Sequence, residues 1–311
     1  MDGKRMICTT VIPTIGRETL ERAIKSALAQ GLGATNHEIV IVNDSGQELS
    51  IPVELCQNNV RVITTNRSGE SMSTNVGFAA ALGKYVNVLH DDDSLLPGGL
   101  RALLDCAESN QAAWVAGGYE LVNRNDQFTS NVIPNAYGNV FGLLMVGESF
   151  HISSLMVKRE AFFHAGGCDP ALDGYVDWDL ECRLARIYPM YSVKYPVARI
   201  RASVVSRENP RYTQERRREL FLITREKALS EPGAASHVIS SIGNDPFKRG
   251  RASRRFAASG LTAISRGRLL RATERVFDCI RIASLNIIYP DFWRGLTYRM
   301  TYDDSGIRVS G

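Results

Sequence analysis

Apolar residues in the first hundred positions fall in short runs separated by amphipathic stretches. Residues 6–13 (MICTTVIP) predict a strand that ends at Pro13, with a turn over 14–17. Over 18–30, Leu20, Ala23, Ile24, Ala27 and Leu28 fall on one face of a helix that Gly31 and Gly33 stop. Residues 38–43 (EIVIVN) are almost continuously apolar, as in a strand covered on both faces of a parallel sheet, and 43–46 (NDSG) turn the chain. A third strand follows over 60–64, then a helix over 71–82 with Met72, Val76, Ala79 and Ala80 inward, then a fourth strand over 84–89. Asp91, Asp92 and Asp93 come next, before Pro97 and a helix that starts near Leu100. Alternating strands and helices predict an α/β fold with a doubly wound, mostly parallel sheet. The carboxyl edge of such a sheet gathers Thr14, Asp44 and the three aspartates into one crevice.

Further along, 113–125 and 131–143 read as two weak strands with a loop, 151–157 as a strand, and 158–165 as a helix stopped by Gly166 and Gly167. A short helix covers 179–184. From residue 208 the pattern becomes helical and basic. A helix is expected over 211–230, a polar linker over 246–251, and a helical hairpin over 254–265 and 269–285. The second arm of the hairpin carries an apolar stripe of Leu269, Ala272, Val276, Cys279, Ile280 and Ala283. The expected division is therefore a catalytic domain over 1–207 and a basic, helical C-terminal region over 208–311.

Composition adds an asymmetry. Residues 201–311 hold 21 Lys and Arg against 11 Asp and Glu, whereas residues 1–200 hold 16 against 22. Three readings of the basic helices stay open: packing on the first domain, peripheral contact with an anionic membrane, or contact with a partner or second copy. The arginines are dispersed and no nucleic-acid motif is present, so nucleic acid is not an expected partner. No apolar run approaches the roughly 20 residues of a membrane span, and 1–6 lack a signal-peptide pattern. Six cysteines without a CxxC pair read as reduced thiols. The expected location is the cytoplasm, with the inner membrane face as an additional site.

Three adjacent carboxylates repel one another, and a hard divalent cation such as Mg²⁺ or Mn²⁺ relieves that repulsion. A solvated acidic turn is the competing reading. The segments VIPTIGRETLERAIKSALAQ, EIVIVNDSG, SMSTNVGFAAALGKYVNVLHDDDSLLPGGL and GGCDPALDGYVDWDLECRL stand in this order between residues 6 and 205. Together they resemble the successive motifs of the inverting glycosyltransferase family 2, whose fold is GT-A.

The resemblance implies a site, residue by residue. Pro13, Thr14 and Asp44 would bind the donor nucleotide's base, with Asn43 standing where the family has its first Asp. Asp92 takes the place of the metal-binding acid, and Asp91 lies toward the ribose. Asp93 is assigned to the metal or to a structural role, and His90 occupies the position of the first acid of the DxD motif. Asn75 keeps half of an Arg-Asn pair. Thr74 cannot replace the Arg, so Arg67 is the candidate cation for the diphosphate. Asp177 falls on the family's general base, with Val176 in place of the usual Glu; the competing role for Asp177 is to complement a helix dipole. Tyr119, Tyr137, Phe141 and Phe150 are candidates for sugar stacking or for the core.

The implied activity is metal-dependent, inverting transfer of a sugar from a nucleotide-diphosphate donor, by family habit a UDP-sugar, to an unidentified acceptor hydroxyl. Polysaccharide, glycolipid and natural-product glycosylation are all compatible with it. Two alternatives remain. A nucleotidyltransferase would want a Gly-rich first loop, where only Gly16 is present. A non-catalytic binding module would fit the departures at Asn43, Thr74, His90 and Val176.

Overall fold

The computed structural model describes residues 6–123, 125–147, 149–172, 174–202, 213–297, 301–302 and 308–309. The chain divides into two compact units: Met1–Gly138 with Phe150–Glu208, and Asn139–Ser149 with Asn209–Gly311. The boundary expected at 207/208, Tyr212 and most of the 303–311 tail lie outside the described residues.

In chain order the first unit runs β1 (Cys8–Thr14), α1 (Leu20–Leu28), β2 (His37–Asn43), β3 (Val60–Thr64), α2 (Glu70–Ala80), β4 (Tyr85–Val88), β5 (Ser94–Leu95), α3 (Gly99–Ser109), β6 (Trp114–Val122) and β7 (Phe128–Val132). The short helix α4 (Phe141–Met145) belongs to the second unit. The first unit resumes with a 3-10 turn at Ile152–Ser154, β8 (Leu155–Lys158), α5 (Arg159–His164), α6 (Val176–Ile187) and β9 (Met190–Arg201).

The nine strands form one α/β sheet in the order β3-β2-β1-β4-β8-β6-β9-β5, with β7 on β6. β3, β2, β1 and β4 are mutually parallel, and β6 is parallel to β9. β8, β5 and β7 run antiparallel to their neighbours. All seven residues of β2 are buried, which explains its continuous apolar run.

Helix α2 departs from the sequence expectation. Met72 is exposed, and the buried residues are Ser71, Ser73, Thr74, Gly77 and Phe78. The helix lies so close to β1 that a Cβ on Gly77 would fall 2.1 Å from Val11 Cγ1. Small residues permit that approach, and Phe78 then stacks on Phe162 with ring centroids 3.6 Å apart. The expected strand over 131–143 is replaced by β7, which ends at Val132, and by α4. Strands β5 and β9 have no counterpart in the sequence reading.

The second unit continues with α7 (Gln214–Ser230), α8 (Ala234–Ile242), α9 (Pro246–Ser265), α10 (Leu269–Ala283) and α11 (Pro290–Thr297), followed by the small hairpin of β10 (Thr301–Tyr302) and β11 (Arg308–Val309). The expected linker over 246–251 is instead the first turns of α9. Asp245 caps that helix by accepting the Lys248 N–H at 3.0 Å, and Pro246 opens it. α9 and α11 cross at a pair of glycines. A Cβ on Gly250 would sit 1.9 Å from Phe292 O, and one on Gly295 2.0 Å from Phe247 O. Part of the basic character is internal, since Arg225, Arg249, Arg251 and Arg275 are buried. Arg249 Nη1 donates to Ile282 O at 3.1 Å, and Arg275 Nη2 donates to Leu229 O. Among the described residues no helix is long and apolar enough to cross a membrane.

Candidate active site

The parallel register sets the site. Thr14 pairs with Asn43, Asn43 with Thr64, and Val11 with Val88. Continuing the last register by three residues brings Asp91 level with Thr14. Thr14 Oγ1 donates to Asp91 Oδ2 at 2.6 Å and accepts the Gly16 N–H at 2.9 Å. Arg17 forms an ion pair with Asp91 Oδ1. Pro13, the next-to-last residue of β1, lies opposite Val42 and fixes the exit of the strand into this loop.

The three aspartates are used differently. Asp91 is buried and occupied by Thr14 and Arg17. Asp93 is buried and accepts Ser153 Oγ at 2.6 Å and Arg201 N at 3.0 Å. Asp92 keeps its side chain 16% exposed, with Arg17 Nη1 at 4.0 Å, and accepts no side-chain hydrogen bond from the described residues. Arg22 holds its backbone by donating to Asp92 O at 2.5 Å.

Two histidines and a glutamate complete the cluster. His90 Nε2 lies 3.1 Å from Glu70 Oε1, and His90 Nδ1 lies 4.0 Å from Asp93 Oδ2. Burial opposes a charge on His90, but the Glu70 hydrogen bond and the carboxylates of Glu70, Asp93 and Asp92 push its pKa up to about 10. His90 is therefore an imidazolium paired with Glu70. His151 behaves oppositely: burial and the charge on His90 push it down to about 4, against the pull of Asp177, Asp92 and Glu70. Burial, reinforced by Asp92 and opposed by His90, Ser153 and Arg201, raises Asp93 to about 6.

His151 Nδ1 accepts the Ser153 N–H at 3.3 Å and lies 3.7 Å from Asp93 Oδ2. Two lone-pair atoms thus face each other, and one ligand atom from each of His90, Asp93 and His151 falls within 4.8 Å of the others. The charged His90 has no lone pair to give, so the groups here that fit a divalent cation are Asp93 and His151, with the open carboxylate of Asp92 beside them.

Asp177 lies at the start of α6, after Tyr175, whose backbone is left-handed with φ 58°. Its Oδ1 accepts the Trp178 N–H at 2.8 Å. Burial and the charge on Glu70 raise its pKa, while His151, the Trp178 N–H and His90 pull it back. Asp177 and Asp92 both act electrostatically on His151, pulling its pKa up against burial. Glu70, paired with His90, is the second acid whose charge bears on Asp177. Of the four candidate aromatics, Phe141 and Phe150 are buried, Tyr137 is exposed, and the Tyr119 ring lies 5.7 Å from His151.

A second part of the edge surrounds Asp44. Its Oδ1 accepts Thr65 Oγ1 at 2.6 Å, Ser68 N at 2.7 Å and Ser68 Oγ at 2.9 Å, whereas among the described residues Oδ2 accepts only Gly69 N at 2.8 Å. Burial works against this charge, but the hydrogen bonds outweigh it and hold the carboxyl below its usual range. Oδ2 therefore retains a lone pair for a ligand. Arg67 packs over Gly46 and donates from Nε to Ser45 O at 3.2 Å. Asn75 is occupied: its amide donates to Cys168 O and accepts Cys168 N, both at 2.8 Å. It braces the turn that leads to Asp177. Sequence reasoning missed Arg17, Glu70 and His151. Arg17 was legible as the cation closing the turn after Thr14, whereas Glu70 and His151 reach the site only through tertiary folding.

Residues 9–162 match the family described as Glycosyl transferase family 2. An uncharacterized glycosyltransferase of Rickettsia bellii is 26% identical over 197 residues, which is 60% of this chain and 28% of that protein. The chain thus spans just over a quarter of that relative's length. Among solved structures, S. aureus TarS 1–349 in complex with UDP-GlcNAc superposes with a TM-score of 0.61 at 13% identity, covering 96% of this chain and 95% of that one. The mannosyltransferase PcManGT from Pyrobaculum calidifontis, in complex with GDP-Man and Mn²⁺, gives 0.56 at 16% identity, covering 94% and 84%. At these identities the likeness to the solved structures is one of fold, and residues 9–162, just under half of the chain, match the family described as Glycosyl transferase family 2.

Proposed function

We propose that this protein is an inverting, metal-dependent glycosyltransferase that moves a sugar from a nucleotide-diphosphate donor, a UDP-sugar, to an acceptor hydroxyl. The observation that supports the reading is that the parallel register brings Thr14 Oγ1 to 2.6 Å from Asp91 at the carboxyl edge, beside an Asp92 carboxylate that accepts no side-chain hydrogen bond from the described residues. TarS bound to UDP-GlcNAc and PcManGT bound to GDP-Man and Mn²⁺ support the donor class through shared fold. The first unit is then the donor-binding, catalytic domain and the helical unit an accessory region. Six free cysteines accord with a reducing, cytoplasmic setting.

In this reading the base stacks at the Asp44 loop, with Oδ2 of Asp44 accepting a ring N–H and Thr14 and Pro13 shaping the strand exit. Asn75 acts by holding the Cys168 turn rather than by touching the donor, and Arg67 flanks the base loop. Arg17 balances Asp91 and leaves Asp92 open. Mn²⁺ or Mg²⁺, held by Asp92 with Asp93 and His151, would supply positive charge for the diphosphate. Asp177 accepts the acceptor hydroxyl's proton as that oxygen bonds to the anomeric carbon, and the bond to the diphosphate breaks with its electron pair leaving on the nucleotide. A base raised above the ordinary carboxylate range suits that task near neutral pH.

The test is thermal shift against UDP-, GDP- and dTDP-sugars with and without Mn²⁺, followed by nucleotide release with candidate acceptors. A metal-dependent shift with a UDP-sugar is expected. No shift with any nucleotide sugar in the presence of metal would refute the proposal.

A further inference from the structure

The apolar stripe of α10 does not face the interior of its hairpin. Ala272, Arg275 and Ile282 are buried, while Leu269, Phe277 and Ile280 stand 67%, 63% and 61% exposed and Leu270 86%. Their helical spacing, with Val276 also exposed, places them along one outward side. Beyond the helix, Leu285 and Ile288 are exposed as well, as is Trp293 on α11. A row of large apolar side chains of this kind marks a contact surface.

The same end of the unit carries concentrated positive charge. A cleft of about 110 Å³ at the α9–α10 turn is lined by Lys227, Arg266, Arg268 and Arg271, with Ser230 and Thr262 as hydroxyl groups. Arg271 Nη1 is steadied by Ser230 Oγ at 2.8 Å. The acid in the cleft, Glu226, is engaged by Arg225 and by Ser259 Oγ at 2.6 Å. Leu261 and Ile264, next to the turn, are exposed. Cations that can hold phosphate oxygens therefore stand directly beside apolar side chains that can enter the acyl region.

We infer that this face docks the protein on an anionic phospholipid bilayer. Phosphate headgroups meet the arginines of the α9–α10 turn while the outward row of α10 sinks below them. A second copy placed face to face would set these cations against one another. A soluble polyanion would leave the apolar row in water. Only the second unit is involved, so vesicle binding and donor binding by the first unit can be measured separately.

The experiment is co-sedimentation of the full chain with phosphatidylcholine vesicles, with and without about one-third phosphatidylglycerol, across a salt series. Binding is expected only with the anionic lipid and should weaken as salt rises. The double variants Leu270→Asp/Phe277→Asp and Arg266→Glu/Arg268→Glu should each lower binding at least about tenfold. Their melting temperatures should match the parent, because these side chains are exposed. Equal binding to neutral vesicles, no binding to anionic ones, or binding indifferent to both variants would overturn the inference. So would a dimer in solution that Leu270→Asp/Phe277→Asp converts to monomer.

Discussion

Asp177→Asn separates proton transfer from everything else the side chain does. The substitution keeps shape and keeps an oxygen for the Trp178 N–H, which Asp177 accepts at 2.8 Å. The start of α6 should therefore hold. What is lost is the ability to take the acceptor's proton. Removing a positioned general base costs typically 10²- to 10⁴-fold, or about 3–5 kcal/mol of barrier. Fold stability should move the other way. Burial and Glu70 raise the carboxyl's pKa above its unfolded value, so the ionised form is disfavoured in the folded state at neutral pH. A neutral amide removes that penalty, and the melting temperature should rise. The assay pairs nucleotide release in the presence of acceptor with the thermal shift given by donor and Mn²⁺. The expected result is kcat down at least about a hundredfold, an intact donor shift and a higher Tm. The acid limb of the wild-type rate, which rises with pH as Asp177 ionises, should vanish in the variant. A kcat within a few-fold of wild type would show that Asp177 is not the base, and a lost donor shift would show that it acts in binding.

Three further outcomes are expected. Asp92→Ala should abolish the metal-dependent part of the donor thermal shift, and EDTA should do the same to wild type, reversibly on adding Mn²⁺ or Mg²⁺; a metal-independent shift in both would show that no cation is needed. Gly77→Ala should cost about 1–3 kcal/mol in chemical denaturation by overpacking against Val11, and Val11→Ala in the same chain should recover part of it; a neutral Gly77→Ala would refute the tight approach of α2 to β1. His37 is pushed down to about 4 by burial despite Glu38, so the unfolded chain binds its proton below about 6.5 and the folded chain does not. Stability should thus fall as pH drops from 6.5 toward 4, and His37→Asn should flatten that slope; an unchanged slope would assign acid sensitivity to other groups.

The parallel half of the sheet was legible because β1, β2 and β4 are buried almost throughout and so read as apolar runs. The apolar run before Asn43 is one such case. β9 was not legible. Lys194 and Tyr195 interrupt its apolar pattern, and Pro196 sits where a continuous strand is least expected, at an irregularity of its pairing with β6. Polarity alone made 246–251 look like a linker, although Asp245 and Pro246 were a readable helix start. Helix α2 misled for a different reason: apolar periodicity assumes that burial tracks hydrophobicity, whereas contact with β1 there requires small side chains. In the candidate site, Thr14, Asp44, Asp92 and Asp177 were proposed from local motifs. Glu70 and His151 were not, since neither lies in a charged or metal-like pattern and their meaning comes from neighbours 20 or more positions away: Glu70 Oε1 meets His90, and His151 meets Asp93.

The left-handed backbone at Tyr175 has a consequence for how the reaction is prepared. A residue with a Cβ holds that conformation at a cost of about 1–2 kcal/mol, so the surrounding packing must enforce it continuously. The first turn of α6 consequently leaves the loop at a set angle, and in the proposed mechanism the Asp177 carboxylate is aimed before a sugar arrives. On that proposal substrate entry requires little reorganisation of the protein at this position, and the orienting work is done once, during folding, instead of at every turnover.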